Sequence, residues 1–318
     1  MTDYREADRS RLKTVSVARR ANRVGPGQLA QLPGADATFG AFWQALPSVL
    51  AANDLRFVVD QMVRAVGRRA VVAMLGGHVV KVGLGPLLIE LMRRRVITAV
   101  AMNGSAAIHD FELAAYGGTS EDVAAGLEDG SFGMAEETGR DMNAAIAEGA
   151  RAGRGLGEAL AQELSRRRTL AAPETSILLA CASLDVPVTV HAAIGADIIH
   201  QHPAADGAAI GATSYRDFLR LAELLPALDD GGVVLNLGSA VMMPEVFVKA
   251  LSIARNLSGG KPTGFTACDC DMQRNYRPRV NVVERPTVAG GRGIQLTGHH
   301  EILIPLLAWG VLDQLDRR

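Results

Sequence analysis

Residues 70–78 have the sequence Ala-Val-Val-Ala-Met-Leu-Gly-Gly-His, and this stretch decides the fold class. A continuous apolar run of this length is typical of a strand that is buried on both faces, as in parallel sheets. The glycines and the histidine that follow are typical of a tight turn between a strand and a helix. We therefore interpret residues 70–75 as the first strand of a parallel sheet.

Four further apolar runs of strand length follow along the chain, at residues 96–102, 187–190, 232–237 and 264–267. Helical patterns lie before and between these runs, and one follows the last of them. They cover residues 39–66 (two segments), 86–95, 108–116, 136–150, 156–168, 214–225, 244–256 and 301–315. Alternation of strands and helices predicts an α/β fold with a doubly wound, mostly parallel, Rossmann-like sheet. We expect an N-terminal arm over residues 1–35 and a single domain over residues 36–318.

The composition excludes several classes of function. The chain has 318 residues, of which 33 are basic and 34 acidic, so no broad basic surface for nucleic acid is expected. Its three cysteines cannot form a disulfide framework and indicate a reducing compartment. The charged N-terminus has no apolar run, and the longest apolar stretches are too short to span a bilayer. We expect a cytoplasmic protein with a small-molecule substrate, and neither a nucleic-acid nor a membrane partner.

The familiar sequence motifs for phosphate and acyl chemistry are missing. No Gly-x-Gly-x-x-Gly follows the first strand, and neither a P-loop nor a Gly-x-Ser-x-Gly elbow occurs. In doubly wound sheets, ligands bind beyond the carboxyl ends of the strands. The residues directly after each apolar run are therefore the candidates for a site.

The segment after the second run carries the first candidates, His109, Asp110 and Glu112. His109 and Glu112 are three residues apart, so they share a helix face and could form an acid–base pair. The alternative is a helix start that is rich in acidic residues because they suit the helix dipole. Downstream, Thr119 or Ser120 is the expected N-cap of another helix, and residues 129–134 form a loop long enough to cover a site.

A second group of polar residues follows the third run and comprises His191, Asp197, His200 and His202. We interpret Asp197 and His200 as catalytic groups and His191 and His202 as substrate contacts. Purely structural hydrogen bonds and a divalent metal bound by His200 and His202 are the alternatives. We assign no metal site.

Several stretches taken together resemble one enzyme family. They are residues 103–113, 118–123, 185–190, 195–200, 237–241, 266–267 and 304–307. In this order they resemble the bacterial branch of the deoxyhypusine synthase family, over about residues 60–315.

The resemblance implies a Rossmann-like sheet, a homotetramer and NAD held at a dimer interface. It also implies a reaction in which hydride leaves spermidine and an aminobutyl group passes, as an imine, to a protein lysine. By position, the matching cofactor-side residues are Gly76, Gly77, Asn103, Gly104, Ser105, Thr266 and Ala267. We therefore expect an NAD-dependent transferase that acts on a polyamine or a related amine.

The chain departs from the family where the imine-forming lysine should lie. The corresponding residues 277–286 contain no lysine, and the chain has only Lys13, Lys81, Lys249 and Lys261. Because arginine stays protonated and is a poor nucleophile, we expect no covalent imine. We assign Arg277, Arg279 and Glu284 to the substrate side, where the arginines could hold an anionic group. The alternative function is therefore a divergent enzyme that uses the strand-end His, Asp and Glu residues on an anionic substrate, without NAD, and that could use a metal.

Overall fold

A computed structural model describes residues 4–318 of the chain. The chain divides into two compact units, one that ends at Asn53 and one that comprises Asp54–Arg318. In the first unit, α1 (Phe39–Ala45) follows two short 3-10 turns, and Thr38 caps it by accepting a hydrogen bond from the Ala41 amide. The boundary expected at residue 36 stays a prediction.

The sheet belongs to the second unit and has six strands. They are β1 (Val71–Leu75), β2 (Ala99–Asn103), β3 (Val188–His191), β4 (Val233–Leu237), β5 (Thr266–Asp271) and β6 (Arg292–Thr297). Their order is β3-β2-β1-β4-β5-β6, and every neighbouring pair is parallel. The predicted doubly wound α/β fold is confirmed. The strand order reverses between β1 and β4, where such sheets bind ligands.

Helices connect and cover the strands. Helix α2 (Leu50–Ala65) precedes β1, and α13 (His300–Asp316) follows β6. The connections between the strands contain α3 (Gly77–Lys81), α4 (Gly85–Arg93), α5 (Gly104–Tyr116), α6 (Val123–Asp129), α7 (Glu136–Arg151), α8 (Leu156–Arg166), α9 (Ile177–Leu184), α10 (Gly207–Leu224), α11 (Met242–Leu257) and a helical turn, α12 (Tyr276–Pro278). Within residues 4–318, none of these helices is long and apolar enough to cross a bilayer.

The central strands are apolar because helices cover both faces of the sheet. All five residues of β1 are fully buried. On one face, Val72 and Met74 of β1 pack with Leu221 of α10 and with Phe247 and Leu251 of α11. The continuous apolar runs in the sequence follow from this double coverage.

The structure corrects several element boundaries. The fifth strand is Thr266–Asp271, so the predicted end at residue 267 is wrong, and β6 was not predicted. The predicted N-cap at Thr119 or Ser120 is also wrong, because Asp122 caps α6 by accepting from the Ala124 and Ala125 amides.

Candidate active site

A cavity of about 780 Å³ lies beside α5, at the carboxyl ends of β2 and β3. Such a volume suits a small-molecule ligand. The cavity is lined by Lys81 of α3, by one face of α5, by segments around α6 and the start of α7, and by the loop after β3. Phe132, from the loop that was expected to cover a site, is part of the lining.

Helix α5 sets the geometry of this cavity. The Asn103 side chain caps the helix by accepting from the Ala106 amide at 2.9 Å. Gly117 ends it in the left-handed conformation, with φ of 80°, which glycine adopts without strain. Ser105, His109 and Glu112 all line the cavity because residues three or four apart share a helix face.

A chain of hydrogen bonds joins His109 to Glu112. His109 Nδ1 lies 2.7 Å from the Thr119 hydroxyl, and this hydroxyl donates to Glu112 Oε2. Thr138 donates to the other carboxylate oxygen, Oε1, at 2.9 Å. His109 Nδ1 and Glu112 Oε2 are 4.0 Å apart, so the two predicted partners interact through Thr119. Their common helix face was predicted from the sequence, whereas the roles of Thr119 and Thr138 were missed.

The cavity is acidic, and its histidine is neutral. Burial, and to a lesser degree the charge of Lys81, lower the pKa of His109 to about 4. An imidazole with this pKa is uncharged at pH 7. The lining contains four carboxylates and a single lysine; these residues are Glu112, Glu121, Glu137, Asp197 and Lys81. This balance of charges favours a cationic ligand.

Asp197 reaches the cavity from the loop after β3. Its Oδ2 accepts from the Ala193 amide at 2.8 Å, and its carboxylate lies so close to Gly104 that a Cβ there would overlap it. Burial raises the pKa of Asp197. Asp197 therefore lines the cavity, and its catalytic role stays a prediction.

The expected cofactor-side residues separate into two groups. Five of them, Gly76, Gly77, Asn103, Gly104 and Ser105, lie where β1 and β2 end and α3 and α5 begin. Thr266 and Ala267 begin β5 and therefore lie at the opposite, amino edge of the sheet. They do not fit the expected role, and Cys270 and Asp271 stand at the carboxyl end of β5 in their place.

Buried polar groups also gather near the end of β4, one of the strand ends that the sequence marks as a candidate for a site, although no role was assigned to His300. His300, at the start of α13, is 1% exposed, and a Cβ at Gly238 would lie 2.7 Å from its Cε1. Neither ring nitrogen of His300 has a hydrogen-bond partner within the described residues, and Asn236 Oδ1 also has none. Asp271 Oδ1 is 3.5 Å from His300 Nε2.

Asp110 does not take part in the cavity, so the expected catalytic role does not fit it. It is fully buried and accepts hydrogen bonds from the Ser176 hydroxyl and from the Ile177 and Leu178 amides, at 2.7–3.1 Å. It therefore caps α9. Burial raises the pKa of Asp110 to about 6.

The remaining histidines of the predicted cluster do not converge. His191 is buried and pairs with Thr189, His200 Nδ1 accepts from the Gly195 amide, and His202 lies 3.3 Å from Glu136. None of the three lines the cavity. Among residues 4–318, no three His, Cys, Asp or Glu side chains are grouped so as to hold a metal ion.

The arginines expected to hold an anionic substrate are occupied by carboxylates of the protein. Arg277 Nε lies 3.1 Å from Glu245, and Arg279 Nη1 lies 2.6 Å from Glu284. Arg277, Arg279 and Glu284 are absent from the cavity lining. This arrangement does not support the expected anion-binding role.

Comparison with known proteins identifies relatives of the fold alone. No protein-family model matches the chain, and no curated protein matches its sequence. A solved structure of AgrE in ternary complex with ornithine and NAD+ is similar, with a TM-score of 0.53, 14% identity, and coverage of 84% of this chain and 34% of AgrE. Unliganded AgrE gives a TM-score of 0.51 at 17% identity, with coverage of 85% and 36%. An Entamoeba histolytica protein assigned as a deoxyhypusine synthase gives 0.50 at 9% identity, with coverage of 87% and 94%.

These likenesses define the class of fold. The chain has the Rossmann-like α/β fold that it shares with the deoxyhypusine synthase-like structure over nearly the whole of both chains. It spans about a third of the length of AgrE, at 34% and 36% of the two structures. At such low identities the comparison carries no residue role to this chain.

Proposed function

We propose that this protein is an NAD-dependent enzyme that acts on a polyamine or a related amine by group transfer. The observation that carries the proposal is the acidic cavity at the carboxyl edge of the sheet, where four carboxylates and one lysine surround a neutral histidine. A neutral imidazole does not repel an ammonium group, and it can accept a hydrogen bond from it. Asp197 and Glu112 supply negative charge in the same cavity lining.

The cofactor part of the proposal rests on the sheet. Its strand order, 3-2-1-4-5-6, is that of dinucleotide-binding folds, and the reversal between β1 and β4 is where their cofactor lies. His300 Nδ1 and Asn236 Oδ1 are buried without a hydrogen-bond partner among the described residues, which supports a polar ligand here because buried polar groups are normally hydrogen-bonded. We propose that Gly76, Gly77 and Ser105 lie on the cofactor side together with His300. When bound, NAD would supply the capacity to accept hydride. The similar structure of AgrE contains NAD+ and ornithine, which agrees with this choice of cofactor and with an amine ligand.

Calorimetry tests the cofactor. Titration with NAD and NADP at millimolar concentration should show binding, and His300→Leu should weaken it by at least about tenfold, the loss of one well-made hydrogen bond to a buried group. His299→Gln is the matched control, since the His299 side chain is exposed. The absence of binding by the folded wild-type protein would remove NAD from the proposal.

The amine is tested separately, with spermidine as the probe. Glu112→Gln and Glu137→Gln should each weaken spermidine binding, and the effect should shrink at high salt because charge attraction is screened. Glu128→Gln is the control, since Glu128 lies on the exposed surface of the neighbouring α6 and does not line the cavity. Equal affinities for wild type and all three variants would contradict an amine site in this cavity.

We also propose that the protein assembles as a homotetramer. Val241, Met272 and Tyr276 are exposed apolar residues that follow the neighbouring strands β4 and β5. The exposure of these side chains after two neighbouring strands supports an association surface there. Light scattering at micromolar concentration should give about four times the mass of the 33.6 kDa monomer. A monomer in that experiment would refute self-association.

A further inference from the structure

The two ring nitrogens of a neutral histidine have different roles, because one carries the proton and the other accepts a hydrogen bond. The partner of one nitrogen therefore decides what the other can do. In His109, Nδ1 faces the Thr119 hydroxyl at 2.7 Å. The position of the imidazole proton thus depends on the direction of the Thr119 hydroxyl bond.

That direction is set by Glu112. A hydroxyl has one proton to donate, and Thr119 donates it to Glu112 Oε2. Thr138 donates to Oε1, so both oxygens of the carboxylate act as acceptors. With its proton used, the Thr119 oxygen can only accept at His109. Nδ1 must then carry the imidazole proton, and Nε2 carries the free lone pair.

We infer that Thr119 and Glu112 are positioning residues that hold His109 in the Nδ1–H form and leave Nε2 as the atom that meets the substrate. The part that concerns substrate rests on the proposed function. The part that concerns the proton position stands on the hydrogen-bond geometry alone.

The surroundings of the ring support this direction. A Cβ at Gly77 would overlap Ser105 Oγ and would lie 3.2 Å from His109 Cδ2, the ring carbon bonded to Nε2. The Nε2 edge of the ring therefore borders Ser105 and the glycine turn after β1, while the Nδ1 edge faces Thr119. The helix places the ring so, because side chains on α5 lean toward its N-terminus.

Three elements of the fold meet at the Glu112 carboxylate, so tertiary structure holds these hydrogen bonds in place. Glu112 lies on α5, Thr138 on the first turns of α7, and Thr119 on the segment between α5 and α6. The Glu112 side chain is 11% exposed and the His109 side chain 15%. Hydrogen bonds in such low-dielectric surroundings are stronger than in water, so the orientation of the Thr119 hydroxyl is well held.

Long-range 15N–1H NMR of the histidine side chains at pH 7 tests the inference, with His109→Gln to assign the signal. Wild type and Thr119→Ser should show protonated Nδ1 and unprotonated Nε2. Thr119→Val removes the hydroxyl at nearly constant volume and should move the proton toward Nε2, as should the second variant Thr119→Ala. Ser120→Ala, which changes a neighbouring lining residue outside the hydrogen-bond chain, should leave the wild-type pattern.

The outcomes are distinct. A wild-type protein with the proton on Nε2 overturns the inference whether or not the variants fold, and an unchanged pattern in folded Thr119→Val overturns it as well. Since the spectra require no ligand, failure of spermidine or NAD to bind would refute the proposed function and leave the proton position as an independent result. In the reverse case, binding without the Nδ1–H form would sustain the function and remove Thr119 from it.

Discussion

Asp217 accepts hydrogen bonds at the outer edge of the sheet, and its replacement should lower the stability of the protein. This residue of α10 is fully buried, and its Oδ2 accepts from the amides of Gly157 in α8 and Val190 in β3, both at 2.8 Å. Strand β3 is an edge strand, whose outward amides would otherwise lack partners. Asp217→Ala leaves two buried amide donors without an acceptor, at a cost of about 1–3 kcal/mol each. We therefore expect the free energy of unfolding to fall by about 2–6 kcal/mol. That is a large part of the roughly 5–15 kcal/mol that stabilises a typical domain.

Urea unfolding at pH 4, followed by circular dichroism, measures this loss with Asp217 protonated, because burial raises its pKa to about 6. Asp217→Asn is the matched variant, since its amide oxygen can still accept from both donors, and it should lose much less than Asp217→Ala. A midpoint of Asp217→Ala within about 1 kcal/mol of wild type would refute the reasoning, because unsatisfied buried amides cannot be that cheap. Equal losses for Asn and Ala would also refute it, since the carboxyl group would then act by packing.

Three further predictions follow from buried or strained positions. Burial raises the pKa of Asp269 from 3.8 to about 6, so the stabilising effect of its bound proton is complete below about pH 4 and is lost as the pH rises through 6. Relative to wild type, Asp269→Asn should therefore gain about 2 kcal/mol between pH 4 and pH 7, and a constant difference in urea unfolding free energy would contradict this. Lys81→Met should raise the pKa of His109 from about 4, because one of its two causes is removed, whereas Lys81→Arg should not; NMR titration of the His109 Cε1 proton checks both. Gly238→Ala should cost about 2–5 kcal/mol in thermal unfolding, since its φ is +66° and the new Cβ would lie 2.7 Å from His300. Gly259→Ala, with φ of +62° and open space around it, should cost only about 1–2 kcal/mol; equal costs would show that contact with His300 is unimportant.

The sequence predicts the continuously apolar strands better than the strands that contain polar residues. The runs that gave β1 and β4 are continuous and apolar because both faces of these strands are buried. In β5, the buried Asp269 interrupts the apolar run, and the predicted strand stopped too early. Strand β6 alternates between exposed and buried residues, as expected of an edge strand, so no apolar run marked it.

The candidate site was predictable only within α5. The spacing of His109 and Glu112 indicates a shared face, and both line the cavity. Asp110, one residue further along than His109, points away from that face and caps α9. Thr119 and Thr138 lie 7 and 26 residues from Glu112, so no helical spacing could have shown that they bind the same carboxylate.

The charge of the cavity also depends on tertiary structure, and it favours a cationic ligand over an anionic one. The chain is nearly neutral overall, with a formal net charge of -1, which indicates neither a cationic nor an anionic ligand. Folding collects four carboxylates around His109 and pairs Arg277 and Arg279 with Glu245 and Glu284 elsewhere. An anionic substrate would be repelled by the carboxylates of the cavity, which costs free energy. A cationic amine would be attracted by the four carboxylates that line the cavity. Lys81 is the one lysine among the lining residues, and its charge helps to keep His109 neutral. The charges of this cavity are therefore suited to holding an amine without a covalent bond.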